Sequence, residues 1–128
     1  MPTTTAMTNT LESLVLNRLS QGTGTINQIT HISILSAAGT DTTQTEMSGS
    51  SRVAIAFTTS TSGSAITNTG TVTFTNSGWG STSVYGVAFH TAASLGDCLL
   101  YGNFDSVVTV TSGQSLQFNI AGITISMD

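Results

Sequence analysis

Apolar and hydroxyl residues alternate along most of this chain. After Gly24, short runs with a period of two residues lie between clusters of Gly, Asn and Ser. Such a period is typical of strands that have one buried and one exposed face. The pattern predicts eight or nine strands, at residues 26–35, 52–58, 65–68, 71–75, 81–91, 98–104, 107–111, 115–120 and 123–127.

The apolar positions of these runs predict the core. Eight of them are expected to face inward: Phe57, Val72, Phe74, Val84, Val108, Leu116, Phe118 and Ile125. Ile120 is placed on the same face as Leu116, and Ala121-Gly122 predicts a bend that returns Ile123, Ile125 and Met127 to the core. The close spacing of the turn signals leaves no room for crossover helices. The predicted fold is therefore all-β: a single-domain antiparallel β-sandwich or jelly roll with one short N-terminal helix.

The one segment with a helical period lies near the N-terminus. Its apolar residues share a face: Leu11, Leu14, Val15 and Leu19. Asn9 and Glu12 resemble a capping box, and Gly22 predicts the end of the helix. We expect a helix at about residues 10–20, which either closes one end of the core or faces a partner.

Two segments outside the strands are expected to contact other proteins. The Thr-rich residues 1–9 predict an extended N-terminal arm, ordered only when another chain binds it, before a single domain of residues 10–128. Residues 37–50 form the longest predicted loop. Trp79 and Tyr85 are either strand anchors or surfaces for stacking on a sugar or on another chain. The candidate partner contacts are Met1, Pro2, Thr3, Thr4, Thr5, Ala6, Met7, Asp41, Glu46, Trp79 and Tyr85.

The composition narrows the class of partner. The chain has two Arg, no Lys and six carboxylates, whereas direct count gives 25 Thr and 18 Ser, so hydroxyls supply most of its polar surface. A net charge of −4 with two cations cannot neutralise a row of phosphates or bind anionic lipid. No secretory signal or membrane span is evident, which predicts synthesis in the cytoplasm. We expect neither nucleic acid nor membrane as a partner.

The sequence displays no catalytic motif. No Ser lies in a G-x-S-x-G turn, and His31 and His90 are embedded in strand patterns with only Asp97 and Cys98 as plausible neighbours. Asp97 and Asp105 could be paired as in a glycosidase, but both lie in turn-like contexts. The expectation is a protein without enzymatic activity, cofactor or metal.

Residues 45–128 resemble small virion proteins of tailed bacteriophages. The resemblance rests on T-E-M-S-G-S-S-R-V-A-I-A-F, I-T-N-T-G-T-V-T-F-T, the stretch from Trp79 onward and the closing I-T-I-S-M-D. His90 and Gln114 depart from the usual pattern, in which acidic residues are more common. Members are labelled tail fibre or virion structural proteins, so the resemblance implies a structural role in the virion.

Physical arguments favour one location within the virion. A host-reaching fibre is usually long, trimeric and repetitive, whereas this chain is the size of one globule and has no repeat. A compact body with an adhesive arm suits a capsid decoration (cement) protein on the capsid surface. The expected partners are other copies of the chain, as a trimer, and the major capsid protein or another virion protein. The alternative is a tail or tail-fibre-associated structural protein.

Overall fold

The computed structural model describes residues 3–59 and 65–126, and within them the chain is mostly strand. Of the described residues, 40% are in strands and 11% in helix, and every strand pairing among them is antiparallel, as the alternating pattern predicted. The elements in chain order are β1 (Thr3–Met7), α1 (Asn9–Gln21), β2 (His31–Leu35), β3 (Val53–Ala54), β4 (Ala65–Thr67), β5 (Val72–Thr75), β6 (Ser83–His90), β7 (Cys98–Thr109), β8 (Ser115–Phe118) and β9 (Thr124–Ser126).

The largest sheet has the strand order β1-β7-β6-β2-β3, and two smaller sheets pair β4 with β9 and β5 with β8. The main core combines apolar residues of β2 and β6 with residues of β5 and β8, so it lies between the large sheet and the smaller ones. Of the eight predicted core residues, four are buried and four are half-buried against this cluster. The predicted all-β domain is confirmed.

The second face of the large sheet carries different chemistry. Ile32 and Ile34 of β2 point into the main core, whereas Ser33 and Leu35 alternate to the other side. Leu35 packs there with Ala88 and Tyr101. The helix and the loop after β2 also contact the sheet on or beside these strands.

The strand boundaries differ from the sequence prediction in three places. Residues 22–30 lie outside any strand, although 26–35 was predicted as one, because among residues 23–30 only Thr30 bonds the backbone of neighbouring segments, at His90 and Ile55. The runs 98–104 and 107–111 join into the single strand β7, with register shifts where it pairs with β6. Residues 55–58 leave β3 and make only a single bridge, Phe57 to Asn68.

The bend predicted near the C-terminus is present. Ala121 takes a left-handed φ of 59°, and the Gly122 amide donates to the Asn119 carbonyl at 2.8 Å. Ile123 is returned to the core, but Ile120 is 64% exposed, so its predicted inward position is wrong. The turn begins before Ile120 and rotates its side chain outward. Met127 lies outside the described residues.

Candidate interaction surface

The N-terminal segment is built onto the large sheet of its own chain. β1 pairs with β7 from Thr3 opposite Phe104 to Met7 opposite Leu100. Thr3–Met7 is therefore not an arm separate from the domain, as the sequence predicted, but an edge strand of its own sheet, because the edge of β7 bonds one side of its backbone. Met1 and Pro2 lie outside the described residues. Whether β1 also contacts a partner stays a prediction.

Thr8 joins β1 to the helix. It is buried, its hydroxyl donates to the Cys98 carbonyl at 2.7 Å, and the same oxygen accepts from the Leu11 amide at 3.2 Å. Thr8 is thus the N-cap, and the predicted capping box of Asn9 and Glu12 is wrong by one position. Thr8 and Asn9 could both cap the helix. Thr8 is the N-cap because its hydroxyl also bonds the Cys98 carbonyl of β7. Gly22 ends the helix with a φ of 66°, as predicted.

The loop after β2 is fixed beside the start of the helix. The Asn9 amide donates to the Asp41 carbonyl at 3.0 Å, and the Tyr101 hydroxyl donates to the Asp41 carboxylate at 2.7 Å. This carboxylate raises the pKa of Tyr101. The Gly39 amide donates to the side-chain carbonyl of Asn103 at 2.7 Å, and the side-chain amide of Asn103 donates to the Gly39 carbonyl at 3.0 Å. Two predicted contact regions, the N-terminal segment and Asp41, therefore meet.

Glu46 belongs to a separate polar cluster. Its carboxylate receives two bonds of 2.8 Å from Arg52, a bidentate ion pair. Arg52 also donates at 2.8 Å to the carbonyls of Ala92 and Leu95. The ion pair lowers the pKa of Glu46 and raises that of Arg52. One of the two cations of the chain thus ties the loop before β3 to the turn between β6 and β7.

His90 forms the buried end of this cluster. It is 3% exposed, and its Nε2 lies 2.7 Å from the Ser33 hydroxyl and 3.9 Å from the Glu46 carboxylate. Burial, followed by the charge of Arg52, lowers the pKa of His90 to about 4. Burial also raises the pKa of the nearby Cys98 thiol to about 11. His90 is therefore neutral near pH 7, and Cys98 is a thiol.

Ser33, His90 and Glu46 do not have the geometry of a catalytic triad. In a triad the carboxylate holds one imidazole nitrogen and the serine bonds the other, whereas here both groups lie at Nε2. Ser33 is 3% exposed, so a substrate has no access to its hydroxyl. Within the described ranges, no three His, Cys, Asp or Glu residues converge as metal ligands. The arrangement can stabilise the sheet, but it cannot deliver a nucleophile.

Trp79 and Tyr85 are the two aromatic candidates for partner contact. Trp79 is half-buried against the main core, and the Asn76 carboxamide accepts from its backbone amide at 3.1 Å and from that of Gly78 at 3.3 Å. Tyr85 is half-buried in β6. The structure thus gives Trp79 the anchoring contacts expected of a strand entry. Partner contact by either ring stays a prediction.

Sequence reasoning missed two groups of residues. Helix α1 has no fully buried residue, and its Leu16 and Leu19 are 64% and 79% exposed. Leu16 lies outside the predicted apolar face. Arg52 was not singled out, although it is one of only two arginines and lies directly before a predicted strand, which could have indicated an ion pair. α1, the only helix in the described ranges, is too short to cross a membrane.

Comparison with known proteins identifies the class of this chain. The family model described as podophage GP4 fiber I protein gp80 matches residues 6–126. No curated protein matches the chain. The match confirms the resemblance to virion proteins of tailed phages and extends it from residue 45 back to residue 6. Because it spans nearly the whole sequence, the chain belongs to the podophage GP4 fiber I protein gp80 family and is a phage structural protein of the fibre type.

Proposed function

We propose that this chain is a non-enzymatic structural component of the phage tail fibres. The observation that carries the proposal is the family match, which covers residues 6–126 and so includes the end of β1 and all of α1 as well as the later strands. The same match supports the tail-fibre alternative over the capsid decoration role that the sequence analysis favoured.

The polar side chains of the described residues suit a structural role. Asp41, Glu46, Arg52 and His90 are all engaged in bonds within the chain, and these bonds hold loops against the sheet. A protein of this kind presents a fixed shape whose exposed surface is mainly hydroxyl and apolar. Contacts with other virion proteins then depend on apolar burial and backbone hydrogen bonds, and they weaken little with salt.

The pairing of β1 with β7 weakens the main mechanical argument for a cement protein. That argument required a mobile arm that reaches a neighbouring capsid subunit, whereas Thr3–Met7 already pairs with β7 of its own chain. The segment then has only one strand edge left for a partner. A compact module that is joined to other proteins through its surface suits a fibre as well as it suits a capsid.

Particles assembled without this protein test the proposal. We expect them to keep DNA-filled heads with the thermal stability of the wild type, and to lose fibre density and adsorption to the host. Expression of the chain in trans should restore both properties. If the particles instead retain their fibres but have heads that rupture at lower temperature, the tail-fibre proposal is wrong and capsid decoration is favoured.

A further inference from the structure

The turn between β6 and β7 displays an apolar side chain to solvent. Leu95 is 86% exposed, more than any other large apolar residue in the described part of the chain. Its φ is 56°, in the left-handed region that a leucine rarely adopts. Such a backbone conformation is costly for a residue with a Cβ atom, and it persists only where the surrounding structure fixes it. Strained residues of this kind cluster at functional sites.

Hydrogen bonds on two sides fix this turn. The Thr91 amide donates to the Asp97 carbonyl, and the Asp97 amide donates to the Thr91 hydroxyl, both at 3.0 Å. At the tip, the Arg52 guanidinium donates to the carbonyls of Ala92 and Leu95 at 2.8 Å. The leucine is therefore presented by a rigid backbone, which loses little conformational freedom when the side chain becomes buried in a partner.

An apolar pocket lies beside the end of β3. It has a volume of about 240 Å³ and is lined by residues 54–56 and 69–72, none of which is charged. Ile55 and Val72 belong to the main core, whereas Ala54 and Ala56 are exposed. A cavity of roughly 150 Å³ between apolar side chains can hold benzene. The pocket is therefore large enough for the smaller side chain of a leucine.

The leucine and the pocket are close together on each copy of the chain. The Leu95 carbonyl bonds Arg52, which is two residues before Ala54 of the pocket. Leu95 is exposed, so it does not fill the pocket of its own chain. A two-fold axis that passes between the two features places each leucine at the pocket of the other copy, and one interface then contains the contact twice.

The charges near the contact do not oppose this arrangement. Asp97 lies beside Leu95, and it meets no like charge among the residues that line the pocket. We propose that two copies of this chain associate reciprocally, each seating Leu95 in the pocket that residues 54–56 and 69–72 of the other copy form.

This inference goes beyond the proposed function and is independent of it, because it concerns the purified chain. The mass in solution, measured by light scattering and sedimentation up to about 1 mM, should rise to that of a dimer. Leu95→Asn should weaken the association by more than about 100-fold, since each pair loses two buried leucines and each contributes more than a factor of ten. Asn adopts the left-handed conformation more readily than Leu, so thermal unfolding of the dilute monomer should show no loss of stability.

A change in the pocket tests the other half of the contact. Ala56→Asp should also weaken the dimer, because the new carboxylate would lose its water when Leu95 enters the pocket. Circular dichroism verifies that this variant is folded. A mixture of Leu95→Asn and Ala56→Asp chains should form mixed pairs, because the first variant supplies an intact pocket and the second an intact leucine.

Two matched controls separate this contact from general stickiness. Ile120 is 64% exposed and Ala37 is exposed in the loop after β2, so Ile120→Asn and Ala37→Asp should leave the dimer unchanged. Four results would overturn the proposal: a chain that stays monomeric at every concentration, an oligomer larger than a dimer, a dimer that either Leu95→Asn or Ala56→Asp leaves intact, or a mixture of these two variants that associates no better than each variant alone.

Discussion

Asn68 should be the most costly single polar residue to remove. Its side chain is 1% exposed and makes three bonds: its amide group donates to the carbonyls of Gly70 at 2.7 Å and Asn119 at 2.9 Å, and its carbonyl accepts from the Ile123 amide at 2.9 Å. These bonds join the turn after β4 to the turn before β9. Asn68→Ala removes all three bonds and leaves the Ile123 amide and the Gly70 carbonyl without this partner, whereas the Asn119 carbonyl keeps its bond from the Gly122 amide.

The loss of stability caused by Asn68→Ala depends on how buried each hydrogen-bond partner is. Loss of the bond to the buried Ile123 amide costs about 1 to 3 kcal/mol, whereas Gly70 and Asn119 are exposed and their carbonyls regain water for about 0.5 to 1 kcal/mol each. The expected loss in the free energy of unfolding is about 3 kcal/mol. Urea unfolding followed by circular dichroism measures it.

Asn119→Ala is the matched control for this experiment. The Asn119 side chain is exposed and has one bond, to Gln117 at 3.0 Å, so its removal should cost less than about 0.5 kcal/mol. A loss below about 1 kcal/mol for Asn68→Ala, or equal losses for the two variants, would refute the role assigned to the buried amide.

Three further changes test other parts of the fold. Gly86→Ala should prevent folding, because a Cβ atom there would clash with the Gly102 backbone carbonyl, and soluble expression would show otherwise. Phe118→Ala, at a half-buried position that packs on the main core, should cost about 2 to 3 kcal/mol in chemical unfolding, and a loss below about 1 kcal/mol would contradict that packing. Stability should fall by up to about 3 kcal/mol as the pH drops from 6.5 to about 4, because the unfolded chain then binds a proton that folded His90 does not. The lowered pKa of Glu46 adds to this loss at still lower pH. His90→Gln should remove the decline in stability between pH 6.5 and 4. An unchanged decline in that variant would refute the assignment of this loss to His90.

Most strands were predictable because their apolar and hydroxyl residues alternate against a single core. Val72 and Phe74 of β5, with exposed Thr73 and Thr75 between them, follow the pattern without exception. Residues 26–29 belong to a predicted strand but are not one in the structure, because alternation cannot reveal whether a neighbour bonds the backbone. The same limit hid the pairing of β1 with β7, which depends on an available strand edge nearly a hundred residues away.

The polar contacts were less predictable because sheet register creates them. Ser33 and His90 are 57 positions apart and meet because β2 and β6 pair with His31 opposite His90. A one-residue shift would send His90 to the other face. Composition limits only the ion pairs among these contacts, because the chain has two Arg and no Lys.

Location in the virion tests the central claim most directly. A cryo-electron microscopy reconstruction of intact particles should contain density that fits residues 3–126 in the fibres at the tail, in a few to a few dozen copies. This density should be absent from particles that lack the gene. Density for this fold repeated across the capsid lattice, in hundreds of copies, would contradict the tail-fibre assignment.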